Sequence, residues 1–226
     1  VVDDGSKPPL RNYITRFLHR DNLKYFRLKE NQGKGIALRI GIRKAKGTLV
    51  VFQDADMEYF PSDIPKLVAE IKGGNVDAVY GTRFSEKQSS MSVTHYIGNK
   101  ILTWWTNRLF RSANLTDMET GYKLITKKAL SSFNLESREF EIEPEITAKV
   151  LSHGFRIGEI PINYNYRLQG NAKINLLDGV DSVFMLFKLR FFQNSRLITW
   201  VYSLFKVHIK PLFSGLLSKF KMVTRT

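Results

Sequence analysis

The sequence contains no cysteine, which excludes disulfide bonds and thiolate chemistry and leaves the redox compartment open. It also lacks long apolar runs. The longest nearly uncharged stretch, Leu197 to Phe205, is well short of the ~20 residues that a bilayer-spanning helix needs. Acidic residues are scarce beside basic ones, 21 against 35, which gives a formal net charge of +14. In size the chain is ordinary, because 226 residues can bury one sizeable core.

The basic excess is concentrated at the C-terminus, where residues 188–226 include eight Lys or Arg and no Asp or Glu. From Arg196 to Met222, apolar and polar positions separate at roughly the helical period. This pattern predicts amphipathic helices that lie in the interface of an anionic membrane, with a kink at Pro211. Docking against a partner helix would leave the same pattern. Nucleic acid is not expected as a partner, because zinc-ligand spacings and aromatic RNA-binding strand signatures are missing.

Residues 1–192 alternate short apolar runs with helical patterns, which is typical of βαβ units. The predicted strands are 23–28, 49–52, 77–81 and 156–166, and the predicted helices are 8–19, 36–45, 64–72, 96–110, 144–152 and 178–192. We therefore predict an α/β fold with a Rossmann-like, mostly parallel sheet and flanking helices. The amphipathic segment 193–226 would follow it as a separate C-terminal unit.

Two carboxylates follow the most apolar of these strands, in the stretch Leu49 to Asp56. Ligands of open α/β sheets bind at the carboxyl ends of strands. If the chain stays extended there, Asp54 and Asp56 point to one side, because side chains alternate with period two. Two hard oxygen ligands suit Mg²⁺ or Mn²⁺ shared with a diphosphate. Taken alone, the pattern fits a solvated loop at least as well.

Two other stretches carry cations beside glycines. Gly33-Lys34-Gly35 opens a predicted helix, where Lys34 could meet a phosphate or the glycines could simply cap the helix. The basic loop Arg167 to Lys173 could clamp a phosphate through an arginine fork and a lysine, or it could be solvated.

Acidic residues alternate with apolar ones from Phe140 to Glu145, which predicts that Glu141 and Glu143 share one face. Pro144 suits the first turn of the following helix. The helix dipole accounts for Glu145 without function, but accounts less well for Glu141.

Taken together, these motifs resemble the inverting family-two glycosyltransferases with the A-type nucleotide-sugar fold. The nearest branch includes dolichyl-phosphate mannose synthase and bacterial polyprenyl-phosphate glycosyltransferases. The resemblance extends from Val1 to about Arg190, with seven motifs in the family's order. They are Val2-Asp3-Asp4-Gly5-Ser6, Gly33-Lys34-Gly35, Asp54-Ala55-Asp56, Gly81-Thr82-Arg83-Phe84, Asp117 to Lys123, Phe140 to Lys149 and Arg167 to Lys173.

The resemblance implies roles for these residues. Asp3 and Asp4 would face the nucleotide base and ribose, and Lys34 would join them in donor binding. Asp54 and Asp56 would hold the donor diphosphate through Mg²⁺ or Mn²⁺. The remaining implied roles are Arg83 near the phosphates, Asp117 near the reacting sugar, and Arg167 and Lys173 over the diphosphate and the acceptor phosphate.

The sequence departs from the family in two places. The dolichyl-phosphate branch commonly has Gly-x-Ser-Lys where this chain has Gly170 to Lys173 with Ala172, so no role is carried over to Ala172. Family members also begin with another strand and helix. We therefore expect part of the nucleotide pocket to be incomplete in this chain, and its activity alone to be reduced or absent.

The favoured hypothesis is an enzyme that moves a hexose from a nucleotide-diphospho-sugar to a polyprenyl phosphate, inverting the anomeric centre. A nucleotide-sugar donor favours the cytoplasmic face of a membrane, with peripheral attachment. An ionised phosphate needs no strong base, so alignment and stabilisation of the departing diphosphate would suffice. If the acceptor is a glycan or lipid-glycan hydroxyl instead, Asp117 is the first candidate base and Glu141 the second. The third hypothesis is an inactive sugar-nucleotide domain that binds membrane or nucleic acid.

Overall fold

A computed structural model of the chain describes residues 1–84, 93–110, 114–165 and 176–192. Of residues 176–178 and 180 it describes the backbone alone. The predicted phosphate-binding residues Arg167 and Lys173, and the predicted amphipathic segment 193–226, lie outside the described residues.

Six strands and seven α-helices are found in this part of the chain. The strands are β1 (Val2–Asp3), β2 (Phe26–Arg27), β3 (Leu49–Val51), β4 (Ala78–Thr82), β5 (Lys123–Thr126) and β6 (Ile157–Pro161). The helices are α1 (Arg11–Ile14), α2 (Lys34–Lys44), α3 (Ile64–Lys72), α4 (Val93–Leu109), α5 (Lys127–Ser131), α6 (Ile142–Ser152) and α7 (Leu176–Phe191). None of these helices is both long enough and apolar enough to cross a membrane.

The strands form two sheets. β1 and β2 pair in parallel, and the other four are ordered β3-β5-β4-β6. β4 and β6 are parallel, whereas β5 is antiparallel to both β3 and β4. Three strands of the larger sheet therefore run in one direction, which confirms the predicted α/β fold. The reversed strand β5 was not predicted, because its four residues follow a loop and carry a lysine.

Apolar clusters cover both faces of the larger sheet. Tyr80 and Ile125 belong to the cluster that also includes α6 and α7, and Val79 and Leu124 belong to the cluster on the α3 side. Neighbouring residues of one strand thus enter opposite clusters, as the period-two alternation of strand side chains requires. A sheet buried on both faces explains why its strands lack polar alternation.

The helix predicted over residues 8–19 is mostly absent. The chain forms only the short α1 and a 3₁₀ turn at Thr15–Phe17, and neither contains a buried residue. Short helices are stable in proteins mainly through packing of an apolar face. The apolar spacing here was therefore not enough to extend the helix.

Candidate active site

Charged residues gather at one edge of the larger sheet. Asp54 follows β3 and Arg83 follows β4, and because these strands run in the same direction, their carboxyl ends lie at the same edge. The loop from Asp117 to Gly121 enters β5 from that edge, since β5 is antiparallel to both strands. The reversed strand thus adds an acidic loop to the edge where ligands of such sheets bind.

The first cluster at this edge is a chain of alternating charges. The Lys34 ammonium lies 2.9 Å from Asp54 Oδ2 and 3.0 Å from Glu143 Oε1. Glu143 Oε2 accepts a hydrogen bond from the fully buried Lys123. We refer to Lys34, Asp54, Glu143 and Lys123 as the lysine–carboxylate cluster. Glu143 and Lys123 were not predicted as site residues, although a lysine inside an otherwise apolar strand indicates a buried partner for Lys123.

The ionisation of the cluster follows from burial and pairing. Burial raises the pKa of Glu143, but Lys123 and Lys34 outweigh it and hold that pKa at about 2. Burial lowers the pKa of Lys34, and the Glu143 and Asp54 carboxylates more than reverse this. Burial, reinforced by the charges of Glu143 and Asp56, raises the pKa of Asp54 despite its pairing with Lys34.

Two glycines place Lys34 in this position. A β-carbon on Gly33, whose φ is +103°, would lie 2.4 Å from the Arg138 carbonyl oxygen, and one on Gly35 would lie 2.5 Å from that of Ser137. The start of α2 is therefore packed directly on backbone. The glycines are required by this close approach rather than as a helix cap alone.

Asp3 and Asp4 organise the loops beside this helix. The buried Asp3 carboxylate accepts hydrogen bonds from the backbone of Ser6 and Leu10 and from the Tyr25 hydroxyl. Burial raises the pKa of Asp3, but these hydrogen bonds have the larger combined effect and hold the pKa well below its usual value. Asp4 accepts from the amides of residues 32 and 33, directly before α2. The predicted contacts of both acids with a nucleotide stay a prediction.

The second cluster joins Arg83 to Asp117. Arg83 donates from Nε to Asp117 Oδ2 (2.7 Å), from its terminal nitrogen to Oδ1 (2.8 Å) and from its backbone amide to Oδ2 (3.0 Å). Asn99 donates a fourth bond to the same fully buried carboxylate. Burial raises the pKa of Asp117, yet Arg83 outweighs it and lowers that pKa. A carboxylate with this lowered pKa is a weak base, and its hydrogen bonds hold the Arg83 side chain in a fixed position.

Glu119, which lies between Asp117 and Lys123 in the sequence, was not predicted as a site residue. Its Oε1 is buried and has no hydrogen-bond partner among the described residues. Burial raises the pKa of Glu119 to about 7, with a partial opposing effect of Lys123. The nearby carboxylates of Glu143 and Asp117 raise this pKa further.

Glu141, the second predicted base, precedes the first residue of α6 and is buried. The prediction that Glu141 and Glu143 share a face of an extended segment is wrong, because α6 begins at Ile142. Glu143 and Glu145 lie in its first turn. The helix dipole therefore favours the Glu143 carboxylate as well as that of Glu145. The alternation of acidic and apolar residues did not indicate that the helix begins before Glu143.

The segment that carries Asp54 and Asp56 is a turn rather than an extended strand. β3 ends at Val51, the chain turns at residues 55–56, and Met57 has a φ of +64°. The period-two argument for these two side chains therefore does not apply. Asp56 Oδ1 accepts from the backbone amide of Glu58.

Two carboxylates are a sufficient protein contribution for a cation that also binds a diphosphate. Asp54 and Asp56 are both partly exposed, and the charge of Asp56 contributes to the raised pKa of Asp54. Among the described residues there is no group of three or more His, Asp or Glu placed to hold an ion. The donor set thus fits Mg²⁺ or Mn²⁺ completed by ligand oxygens, and does not fit an all-protein cage.

A cleft of about 420 Å³ opens beside Tyr164. The Tyr164 ring in its wall lies 5.4 Å from the Arg83 guanidinium carbon, and the Tyr164 hydroxyl donates to Glu58. The cleft is lined by Phe60, Ser62, Asn163, Tyr164 and Asn165.

The sequence profile of the family described as glycosyl transferase family 2 matches residues 1–134. The chain belongs to this family. The matched range includes Asp3, Asp4, Lys34, Asp54, Asp56, Arg83 and Asp117.

Two relatives of this family-2 chain have names that state an activity. The chain is 25% identical over 199 residues to the dodecaprenyl-phosphate galacturonate synthase of Rhizobium johnstonii, covering 86% of itself and 57% of the relative. It is 26% identical over 148 residues to a low-salt glycan biosynthesis hexosyltransferase of Haloferax volcanii, covering 64% of itself and 35% of the relative. The chain therefore spans well under two thirds of either relative.

The family-2 chain also shares its fold with glucosyl-3-phosphoglycerate synthase from Mycobacterium tuberculosis, solved in complex with Mn²⁺ and UDP-glucose. The TM-score is 0.63 at 17% sequence identity, over 84% of this chain and 67% of the other. The predicted glycosyltransferase A-type fold is confirmed by this likeness.

Proposed function

We propose that this family-2 chain transfers a hexose from a nucleoside-diphosphate sugar to a polyprenyl phosphate, with inversion at the anomeric carbon. The observation that supports donor binding is that the paired Lys34 and Asp54, and Arg83, all lie at the carboxyl edge of the sheet. The acceptor half is supported by the relative named for a dodecaprenyl phosphate, which aligns with 86% of the chain.

The donor diphosphate would be bound by cations of the chain itself. Lys34 and Arg83 would supply the positive charge. Asp117 already holds the Arg83 guanidinium in place, so Arg83 would lose little side-chain freedom when the diphosphate binds. Asp54 and Asp56 would hold Mg²⁺ or Mn²⁺, which would neutralise the diphosphate and stabilise its departure. Arg167 and Lys173 stay predicted phosphate ligands.

A phosphate acceptor requires no base from the protein, because one of its oxygens is already ionised at neutral pH. This agrees with Asp117, whose four hydrogen bonds suit it for positioning rather than proton transfer. The chain's contribution is then alignment of the acceptor for in-line attack and stabilisation of the leaving group.

Helix α4 would provide a membrane-facing surface near the lipid acceptor. Val93, Ile97, Ile101 and Trp104 are each at least half exposed and lie within one arc of the helix; we call them the apolar stripe. The Arg190 side chain donates to the Leu109 carbonyl, which brings the exposed Phe191 and Phe192 of the α7 end next to the end of α4. Arg108 and Arg190 add positive charge there, which suits the cytoplasmic, anionic face of a membrane.

Isothermal titration with UDP- and GDP-sugars, with and without Mn²⁺, tests the donor half. We expect metal-dependent binding of one nucleotide sugar, and its loss in Asp54→Asn/Asp56→Asn. Lys66→Gln is a suitable control, because Lys66 pairs with Asp63 away from the site. Binding that is unchanged in the double variant would contradict the proposed donor site.

A hydroxyl acceptor is the second candidate, and Glu119 is the observation that favours it. Its Oε1, which has no hydrogen-bond partner in the described part of the chain, could act as the base for such a reaction, and the hexosyltransferase relative is named for glycan biosynthesis. Glu119→Gln separates the two candidates in transfer assays with each acceptor. Transfer to a polyprenyl phosphate should persist in this variant, whereas transfer to a hydroxyl should fall by about 10² or more.

A further inference from the structure

Lys34 lies between two carboxylates that come from different parts of the chain. Its ammonium is 2.9 Å from Asp54 Oδ2, after β3, and 3.0 Å from Glu143 Oε1, in α6. All three side chains are less than one third exposed. A single cation thus neutralises the carboxylate that we assign to metal binding.

The two carboxylates depend on Lys34 to different degrees. Glu143 has a second cation, the fully buried Lys123, on its other oxygen. For the Asp54 carboxylate, Lys34 is the only hydrogen-bonding partner among the described residues. Losing Lys34 would therefore leave Glu143 paired with Lys123, and would leave the Asp54 carboxyl group without a cation beside it.

The backbone around Lys34 leaves only the side chain free to move. The glycines on both sides are in contact with the backbone of residues 137–138, and Asp4 holds the amides before the helix. The Lys34 side chain is 22% exposed, so its ammonium can turn away from Asp54 without movement of α2.

We propose that Lys34 occupies the place of a divalent cation at Asp54, and that Mg²⁺ or Mn²⁺ binds only when the ammonium leaves this carboxylate. The inference rests on the proposed function, because it takes Asp54 as a metal ligand. Two cations at one partly buried carboxylate repel each other strongly. Lys34 would thus keep affinity for the metal alone low, and a diphosphate that accepts the released ammonium would bring lysine and metal into one complex.

Mn²⁺ titration of the whole chain, followed by calorimetry and by electron paramagnetic resonance of free Mn²⁺, tests this without an activity assay. Lys34→Gln and Lys34→Met should bind Mn²⁺ at least about tenfold more tightly than the unmodified chain, since one repelling charge is gone. Lys34→Arg keeps the charge and should stay weak. Lys66→Gln, which breaks a lysine–aspartate pair outside the site, should leave Mn²⁺ affinity unchanged.

The gain must depend on Asp54, so Lys34→Gln/Asp54→Asn should lose it. Thermal melts of each variant establish that it is folded. The unmodified chain supplies an independent test by ¹⁵N NMR of the lysine ammonium groups, where Mg²⁺ should shift the Lys34 signal and leave the Lys123 signal nearly unchanged.

Equal Mn²⁺ affinity of the unmodified chain and Lys34→Gln would overturn the inference and leave the proposed donor site intact. Absence of Mn²⁺ binding by both, with and without UDP or GDP, would overturn the inference together with the proposed metal dependence. A Lys34 signal that Mg²⁺ does not move would contradict displacement directly.

Discussion

Asp117 is fully buried and accepts four hydrogen bonds, three from Arg83 and one from Asn99. A buried ion pair broken from one side leaves an uncompensated charge, here the guanidinium of Arg83. At the scale of the residue, the site is thus held together by the same contacts that orient its cations.

Asp117→Asn should lower the free energy of unfolding by about 3 to 5 kcal/mol, because it leaves the buried Arg83 unpaired. Urea denaturation followed by circular dichroism measures the loss. Asp117→Asn/Arg83→Met should recover part of it, since the unpaired charge is removed. A loss below about 1 kcal/mol in the single variant would mean that Arg83 finds another partner.

Glu119 should make stability depend on pH. Its pKa in the folded chain is raised to about 7 by burial, whereas an unfolded glutamate titrates near its ordinary value of 4.5. Between these values the folded chain binds more protons than the unfolded chain, so stability falls as pH rises from about 4.5 to 7. Below this window both states are protonated, and above it the loss is complete.

Glu119→Gln should remove this loss. Relative to the unmodified chain, we expect the variant to gain about 1 to 3 kcal/mol between pH 5 and pH 8, measured by urea denaturation at each pH. A stability difference that is constant over this range would show that Glu119 titrates normally.

At the scale of the element, the strands of the larger sheet with continuous apolar runs were predictable, and β5 was not. β3 and β4 are apolar along their length because both of their faces are covered. β5 contains Lys123, whose ammonium is buried only because Glu143 of α6 meets it. That partner is 20 residues away, so no local pattern reveals it. For the same reason, the pairing of Asp54 with Lys34, 20 residues earlier in the chain, was not predicted from the sequence.

The start of α2 provides a prediction at this scale. Gly35→Ala would place a methyl group 2.5 Å from a backbone oxygen, so it should destabilise the chain by about 1 to 3 kcal/mol and weaken nucleotide-sugar binding by moving Lys34. Gly98→Ala is the matched control, because Gly98 lies inside α4 with no atom within 4 Å of the added carbon. It should stabilise the chain by about 0.5 to 1 kcal/mol. Equal effects in thermal melts would argue against the close packing.

At the scale of the whole molecule, a net charge of +14 and the apolar stripe of α4 combine into one expectation. Cosedimentation with anionic vesicles should be strong at low salt and decrease as salt screens the surface charge. Ile97→Ser/Trp104→Ser should weaken it several-fold at every salt concentration, because the stripe acts through buried apolar area. Tyr13→Ser, at a tyrosine 66% exposed in α1, should have no effect. Equal loss in both variants would contradict a role for the stripe.

The two neighbouring tryptophans of α4 have opposite surroundings. Trp104 is 58% exposed, whereas Trp105 packs its ring 5.1 Å from that of Phe187 in α7. The two indole rings lie 4.9 Å apart in an edge-to-face contact, so they exchange excitation and their joint emission does not report on Trp104 alone. In a Trp105→Phe/Trp200→Phe background, contact with a bilayer would shift the emission of Trp104 to shorter wavelength and shield it from an aqueous quencher. The helix thus carries its own optical probe for the surface on which the enzyme would work.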